Sequence, residues 1–260
     1  MLTFTLPQQL STLFLPLILL ASVAQAKVIE EEFDAQYGDT LHLKTDQGNI
    51  QVKTHNDESV EFYIEIDGED EEEFTVNFDK HNNGIKVRGE RQNKHSWSRT
   101  RISYLITVPK NYNLDLNTAG GKIEIVDDLT GDIDARTSGG AIKVADVKGD
   151  VQLHTSGGSI KTEDIEGEID AHTSGGSINV VFAKQIAKDA ILNTSGGSIV
   201  AALPADIRMD LDASTSGGIV KSEFDIDGRV KKRSIDGQIN GGGPQLKLHT
   251  SGGSIRIVKR

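Results

Sequence analysis

The sequence predicts an all-β fold: a single-domain β-solenoid of roughly 18–21-residue coils, opened by an irregular, aromatic-rich N-terminal β region. Three observations carry that prediction. Between residues 118 and 253 the chain writes Thr, then Ser or Ala, then Gly-Gly seven times, at intervals of 19, 18, 18, 21, 21 and 35 residues. A period near twenty marks stacked coils, each a unit that cannot bury its apolar face alone. Around each copy apolar and polar residues alternate, the period of a half-buried strand. Glycines and aromatic residues, finally, divide the chain in opposite senses: 22 of 27 glycines follow residue 115, whereas only Phe182 and Phe224 are aromatic after the first Gly-Gly.

Taken in order, residues 1–26 carry no charged side chain and run through Leu13 to Leu20 into Ala24-Gln25-Ala26. A short apolar run followed by small residues at alternate positions describes a signal peptide cleaved after Ala26, with an uncleaved anchor as the alternative. Export to the periplasm, cell envelope or extracellular side is therefore expected, with no transmembrane segment after cleavage. The chain has no cysteine, which suits a bacterial envelope or secreted protein better than a disulfide-stapled domain. Its formal net charge of −11 argues against nucleic acid as a partner.

Residues 27–110 form the N-terminal β region opening the solenoid. Thr40-Leu-His-Leu-Lys-Thr45, Asn49-Ile-Gln-Val-Lys53, Ser59 to Ile66 and Arg101 to Val108 alternate as strands. Asp46 to Val52 and Asn83-Gly84-Ile85-Lys86-Val87 read as degraded versions of the later turn and strand. Phe33, Tyr37, Phe62, Tyr63, Phe74, Phe78, Trp97, Tyr104 and Tyr112 all precede the first Gly-Gly, so large rings are expected to fill this region's interior.

Residues 111–260 form the repeat β-helix. The structural repeat turns are Thr118, Gly120, Gly121; Thr137, Gly139, Gly140; Thr155, Gly157, Gly158; Thr173, Gly175, Gly176; Thr194, Gly196, Gly197; Thr215, Gly217, Gly218; and Thr250, Gly252, Gly253. Ile133, Ala135, Thr137, Ile142, Val144 and Val147 face inward, and the equivalents one and two coils later follow the same offsets. Each coil thus has two short strands, a Gly-Gly corner, and a second corner built around Asp-[Val/Ile/Leu]-x-Gly. One or both glycines of each pair are expected to need positive φ, and the Thr hydroxyl to bond backbone groups freed by the turn. The left-handed hexapeptide helix shares the period of 18, but its aliphatic residues recur every sixth position. Here the inward offsets are 0, 2, 4, 9, 11 and 14. The chain closes on Ser254-Ile-Arg-Ile-Val-Lys-Arg260, where Lys259 and Arg260 are expected to blunt the open edge.

No catalytic, cofactor-binding or metal-binding residue is assigned. His154 and His172 fall at equivalent outward positions and His249 precedes the last Thr, yet Arg136 and Asn193 share their row and Arg suits a cation site poorly. Asp132, Asp150 and Glu168 form one acidic row and Asp134 and Asp170 another. Either Lys143 and Lys161 or an external divalent cation would offset them. The run Asp67 to Glu73 lacks the spacing of an EF-hand loop and reads as a solvated turn. A phosphate cradle would need a helix after the glycines, and Ile-Lys-Val is a strand.

The units Gly-x-[Ile/Val]-x-[Ala/Leu]-x-Thr-Ser-Gly-Gly-x-Ile, the segment Ala202-Leu-Pro-Ala-Asp206 and the ending Ile239 to Ile255 resemble the bacterial putative-adhesin family of β-strand-repeat proteins. The resemblance implies an exported, non-catalytic β-helical binding protein of the envelope or surface, and it carries over no catalytic residue. The partner would be an envelope protein or an extracellular glycan or matrix ligand. A periplasmic structural or regulatory protein with a dedicated protein partner is the alternative, and a β-helix polysaccharide-active enzyme a more distant one.

Overall fold

The computed structural model describes residues 26–68, 71–92 and 100–260. The signal segment, apart from Ala26, lies outside them, as do Trp97 and the middle of the acidic run, Glu69 and Asp70. The strands form two large sheets facing each other across one continuous core. In one, called here the threonine sheet, the spatial order is Phe74–His81, Gly84–Arg91, Thr40–Thr45, Asn113–Thr118, Ile133–Thr137, Val151–Thr155, Ile169–Thr173, Ala190–Thr194, Gln245–Thr250, Met209–Thr215, Ser234–Ile239 and Asp227–Lys231. The other, the isoleucine sheet, orders Lys27–Asp34, Ser59–Asp67, Arg101–Pro109, Asn49–His55, Ile123–Ile125, Ile142–Val144, Ile160–Ile165, Ile178–Phe182, Ile199–Leu203, Ile255–Lys259 and Val220–Ser222.

Within the stack neighbours are parallel, and the register is fixed by the repeat: Ile133, Ala135 and Thr137 stand beside Val151, Leu153 and Thr155, and these beside Ile169, Ala171 and Thr173. Every inward residue expected in these coils is buried, because a one-residue slip would turn the whole apolar set to solvent. The threonines align through eight rungs, with Thr45 as the rung that lacks a Gly-Gly pair.

Each hydroxyl joins two coils. Thr173 Oγ1 donates to Gly158 O of the coil before it at 2.7 Å and accepts from Gly176 N of its own corner at 3.3 Å. The same pair of bonds recurs at Thr137, Thr155, Thr194, Thr215 and Thr250.

The reason for Gly-Gly differs from the one expected. Of the fourteen glycines in the seven pairs, Gly121 alone has a left-handed φ, of 135°. Close approach explains the second glycine instead. A Cβ on Gly158 would lie 1.9 Å from Gly140 O, and one on Gly176 would lie 2.1 Å from Gly158 O. The first glycine is looser, with a Cβ on Gly157 meeting Gly139 O at 3.2 Å.

Both ends depart from sequence order. Gln245–Thr250 and Ile255–Lys259 insert between the coil of Thr194 and that of Thr215, so the last coil of the chain is an interior rung. Asn240, with φ of 51°, and Gly241 and Gly242, at 89° and 79°, make the reversal that sends the chain back. Lys259 and Arg260 therefore do not guard an edge: the Lys259 ammonium sits 5.1 Å over the Phe224 ring, and Arg260 pairs with Asp164. The edges at this end are Val220–Ser222 and Asp227–Lys231, the latter exposed at every residue.

At the other end the coil containing Gly84–Arg91 and Arg101–Pro109 lies outside that of Thr40–Thr45 and Asn49–His55. Gly84 to Val87 thus belongs to the strand before the corner, beside Thr40 to Leu43, not to the one after it. Gly89 occupies the threonine position, and the Tyr104 hydroxyl fills its space and lies 2.9 Å from Thr45 Oγ1. Burial holds that phenol well above its ordinary range. Antiparallel Phe74–His81, Ser59–Asp67 and Lys27–Asp34 close this end. Phe33, Phe62 and Phe78 meet beneath them with ring centroids 5.1–6.0 Å apart, whereas Tyr37, in a turn, and Tyr63, on the outward face of its strand, are exposed and do not join the interior as expected.

Candidate functional site

Turn corners and core occupy the inward positions, so whatever varies in chemistry lies outward. On the threonine sheet the residues just before each Thr form a row in spatial order: Arg88, Lys44, Asn117, Arg136, His154, His172, Asn193, His249, Ser214. Two positions earlier a second row reads Lys86, His42, Asp115, Asp134, Gln152, Asp170, Ile191, Lys247, Asp212. Parallel pairing spaces each rung by about 4.8 Å.

At the end nearer residue 84 these rows form a concavity of about 570 Å³ lined by Lys44, Lys86, Arg88, Arg136, Asn117 and His42. Arg136 is bound to Asp134 at 2.7 Å, Arg88 lies 3.3 Å from Glu90, and His42 Nδ1 lies 2.9 Å from Asp115 Oδ2. Lys44 and Lys86 have no carboxylate partner among the described residues. Sequence reasoning missed this cluster. The signal was present: Leu41-His-Leu43-Lys-Thr45 has the same alternation as Leu246-Lys-Leu248-His-Thr250, which would have put Lys44 in the row of Arg136 and His154.

His154 and His172 are adjacent as expected, with ring centroids 6.1 Å apart, and the inserted coil puts His249 beyond Asn193. His249 Nδ1 lies 3.0 Å from Ser214 Oγ. Among the described residues no group of three or more potential ligands could hold a metal ion. Asp134 and Asp170 share a row, but Gln152 stands between them. Burial raises the Asp134 carboxyl against the opposing pull of Arg136. Its Oδ1 and that of Asp170 are covered yet lack a hydrogen bond; His172 Nε2 is 2.5 Å from Asp170 Oδ1 without hydrogen-bond alignment.

The other acidic row is offset by groups other than Lys143 and Lys161. Asp150 N donates to Asp132 Oδ1 at 2.9 Å, and Glu168 N to Asp150 Oδ1 at 3.1 Å, so Asp132 and Asp150 each accept from the next coil's backbone. Lys188 adds a contact of 2.5 Å to Asp150, and that hydrogen bond holds the carboxyl below its usual range. Lys143 instead faces Glu124 at 3.6 Å. Of the acidic run, Glu71–Glu73 makes one 3-10 turn, and Glu72 lies 3.6 Å from Lys27. No helix among the described residues is long and apolar enough to cross a membrane.

The seven repeat turns lie together along one corner of the stack, where they hold coil to coil. Compared with known proteins, the chain matches the Toastrack DUF4097 family over residues 38–167 and again over 149–258. No curated protein matches it. Among solved structures it is similar to a putative cell adhesion protein from Clostridium sporogenes ATCC 15579, at 10% identity and a TM-score of 0.42, covering 91% of this chain and 100% of that one. A putative adhesin from Bacteroides fragilis NCTC 9343 shares 17% identity at a TM-score of 0.34, covering 90% and 99%. A putative lipid binding protein from Parabacteroides distasonis ATCC 8503 shares 15% at 0.33, covering 89% and 96%.

Proposed function

The chain belongs to the Toastrack DUF4097 family, and we propose that it is an exported, non-catalytic binding protein of the bacterial cell envelope or surface, an adhesin in the broad sense. One observation carries this reading: outward side chains stand in two rows held in register by the threonine and glycine corners, and one end of them forms a cationic concavity. A rigid face of fixed spacing suits recognition of an extended partner, because little side-chain or backbone order remains to be imposed on binding. Export rests on the composition of residues 1–26.

Fractionation of native cells, protease shaving and mass spectrometry of the N-terminus test the proposal together. The expected result is a mature chain beginning at Lys27 in the envelope or on the surface. A cytoplasmic protein retaining residues 1–26 refutes it.

The hairpin of Asp227–Lys231 and Ser234–Ile239 favours a second reading, a structural or regulatory envelope protein with a dedicated protein partner. Its outer strand is exposed throughout, and Val230 is 60% exposed. Crosslinking that recovers one envelope protein near stoichiometry through this hairpin would support it.

A further inference from the structure

We propose that the cationic end of the threonine sheet binds a linear anionic glycan, a sugar polymer carrying carboxylates, lying along the solenoid axis. The proposal rests on the binding reading above and names the ligand class of that same face.

Lys44, Lys86, Arg88 and Arg136 converge on one concavity in a chain of formal net charge −11. Lys44 and Arg88 are directly opposite on adjacent parallel strands, and like charges so placed repel. Glu90 offsets Arg88 in part, and Asp79 stands across from Lys86 but pairs with His81; neither Lys44 nor Lys86 closes an ion pair among the described residues, so an anion from outside removes the remaining repulsion. Beyond them the row continues as Asn117, Arg136 and His154 at steps of about 4.8 Å. Such a track offers intermittent charge separated by amide and imidazole donors, which fits an extended polymer of sparse charge better than a compact anion.

Two features favour sugar over nucleic acid. Neither row contains a Phe, Tyr or Trp ring, the broad platforms on which successive bases stack, and the net negative charge opposes a dense polyphosphate. The covered Oδ1 of Asp134, which lies in the row beside Arg136, has no hydrogen-bond donor. A carboxylate that turns outward gains a hydrogen bond from a sugar hydroxyl and none from an ionised phosphate.

The test uses the full chain, immobilised, with polygalacturonate as probe and neutral dextran and oligothymidylate as comparators, at low and high salt. Polygalacturonate is expected to bind and to weaken with salt, and Lys44→Gln with Lys86→Gln to lower its affinity at least about tenfold. Lys161→Gln with Arg256→Gln, an equal charge loss on the isoleucine sheet, should leave affinity unchanged. All four side chains are exposed, and unchanged melting of both variants confirms that the fold is intact. The proposal is overturned by no binding of polygalacturonate, by equal retention of dextran, by tighter binding of oligothymidylate, or by equal losses in the two double variants. None of those results touches the envelope location that decides the broader reading.

Discussion

Replacing Gly158 with Ala tests what the Gly-Gly corners are for. The added Cβ would lie 1.9 Å from Gly140 O, 2.3 Å from Gly140 C and 2.5 Å from Ala141 N, all backbone atoms of a coil packed on its other side as well. Reaching ordinary contact requires a shift of about 1.5 Å in a stack whose rung is about 4.8 Å. Overpacking of a well-packed interior costs about 1–3 kcal/mol, and a backbone clash belongs at the upper end. The shift also strains the bonds from Thr173 Oγ1 to Gly158 O and from Gly158 N to Thr155 Oγ1, each worth about 1 kcal/mol. A loss of about 4 kcal/mol is expected, or about 8–16 °C in Tm for a chain of this size. Gly157→Ala supplies the internal comparison, because its Cβ meets nothing closer than Gly139 O at 3.2 Å; a change within about 1 kcal/mol of either sign is expected, the small displacement working against the lower entropy of the unfolded chain. Both variants are measured by urea unfolding with circular dichroism. Equal destabilisation by the two, or a neutral Gly158→Ala, would refute the close-approach account.

Thr173→Val keeps the shape and removes the hydroxyl, leaving Gly158 O and Gly176 N without that partner; a loss of about 1–3 kcal/mol in urea unfolding is expected, with Thr173→Ser much milder. The Asp150 carboxyl is held low by Lys188, so its contribution is present above the unfolded value of about 4 and fades as pH falls through the depressed folded value. Lys188→Met should flatten the stability–pH curve in that acidic range, and less so in high salt. Replacing Lys259 and Arg260 with Thr should not promote end-to-end association, since both are tied down away from the edge, whereas Arg229→Thr with Lys231→Thr on the true edge strand should raise it in sedimentation. Truncation after Gly243 removes an interior rung and should destabilise far more than deleting residues 149–166, one coil between sequential neighbours, as read by protease resistance.

The coil was legible in the sequence because two signals agree. Ile133, Ala135 and Thr137 alternate inward, and Gly139-Gly140 stops the chain at a fixed place, so phase and register are set together. Three things were not legible, each for a physical reason. A glycine chosen for close approach looks the same in sequence as one chosen for its dihedral, and only the neighbour Gly140 O distinguishes them at Gly158. An interval of 35 residues between Thr215 and Thr250 is long enough for an added coil beyond the edge or for a hairpin and return, and periodicity does not choose. The cationic cluster stayed hidden because Thr45 has no Gly-Gly after it, and Gly89 has replaced the outermost threonine, with Tyr104 supplying the hydroxyl.

The exchanged order at both ends answers the problem that every open solenoid has. A strand left at the end of a parallel stack presents a row of unpaired backbone groups. Here one end is finished in both sheets by antiparallel strands, Phe74–His81 with Ser59–Asp67 and Lys27–Asp34, and the other by the antiparallel hairpin of Asp227–Lys231 on the threonine sheet and the three-residue parallel strand Val220–Ser222 on the isoleucine sheet. To place those caps outermost, the chain must turn back into the stack before and after it. At the end nearer residue 260 this buries Ile255 between Ile199 and Val220 and Ile257 between Ala201 and Ser222, instead of leaving them at an edge. The outward rows gain from the same arrangement. With both ends capped and every rung tied through a threonine hydroxyl, Lys44, Arg136 and His154 keep a spacing set by the backbone, independent of their own contacts. Their chemistry is then free to differ from rung to rung, and it is in those differences that a ligand is read.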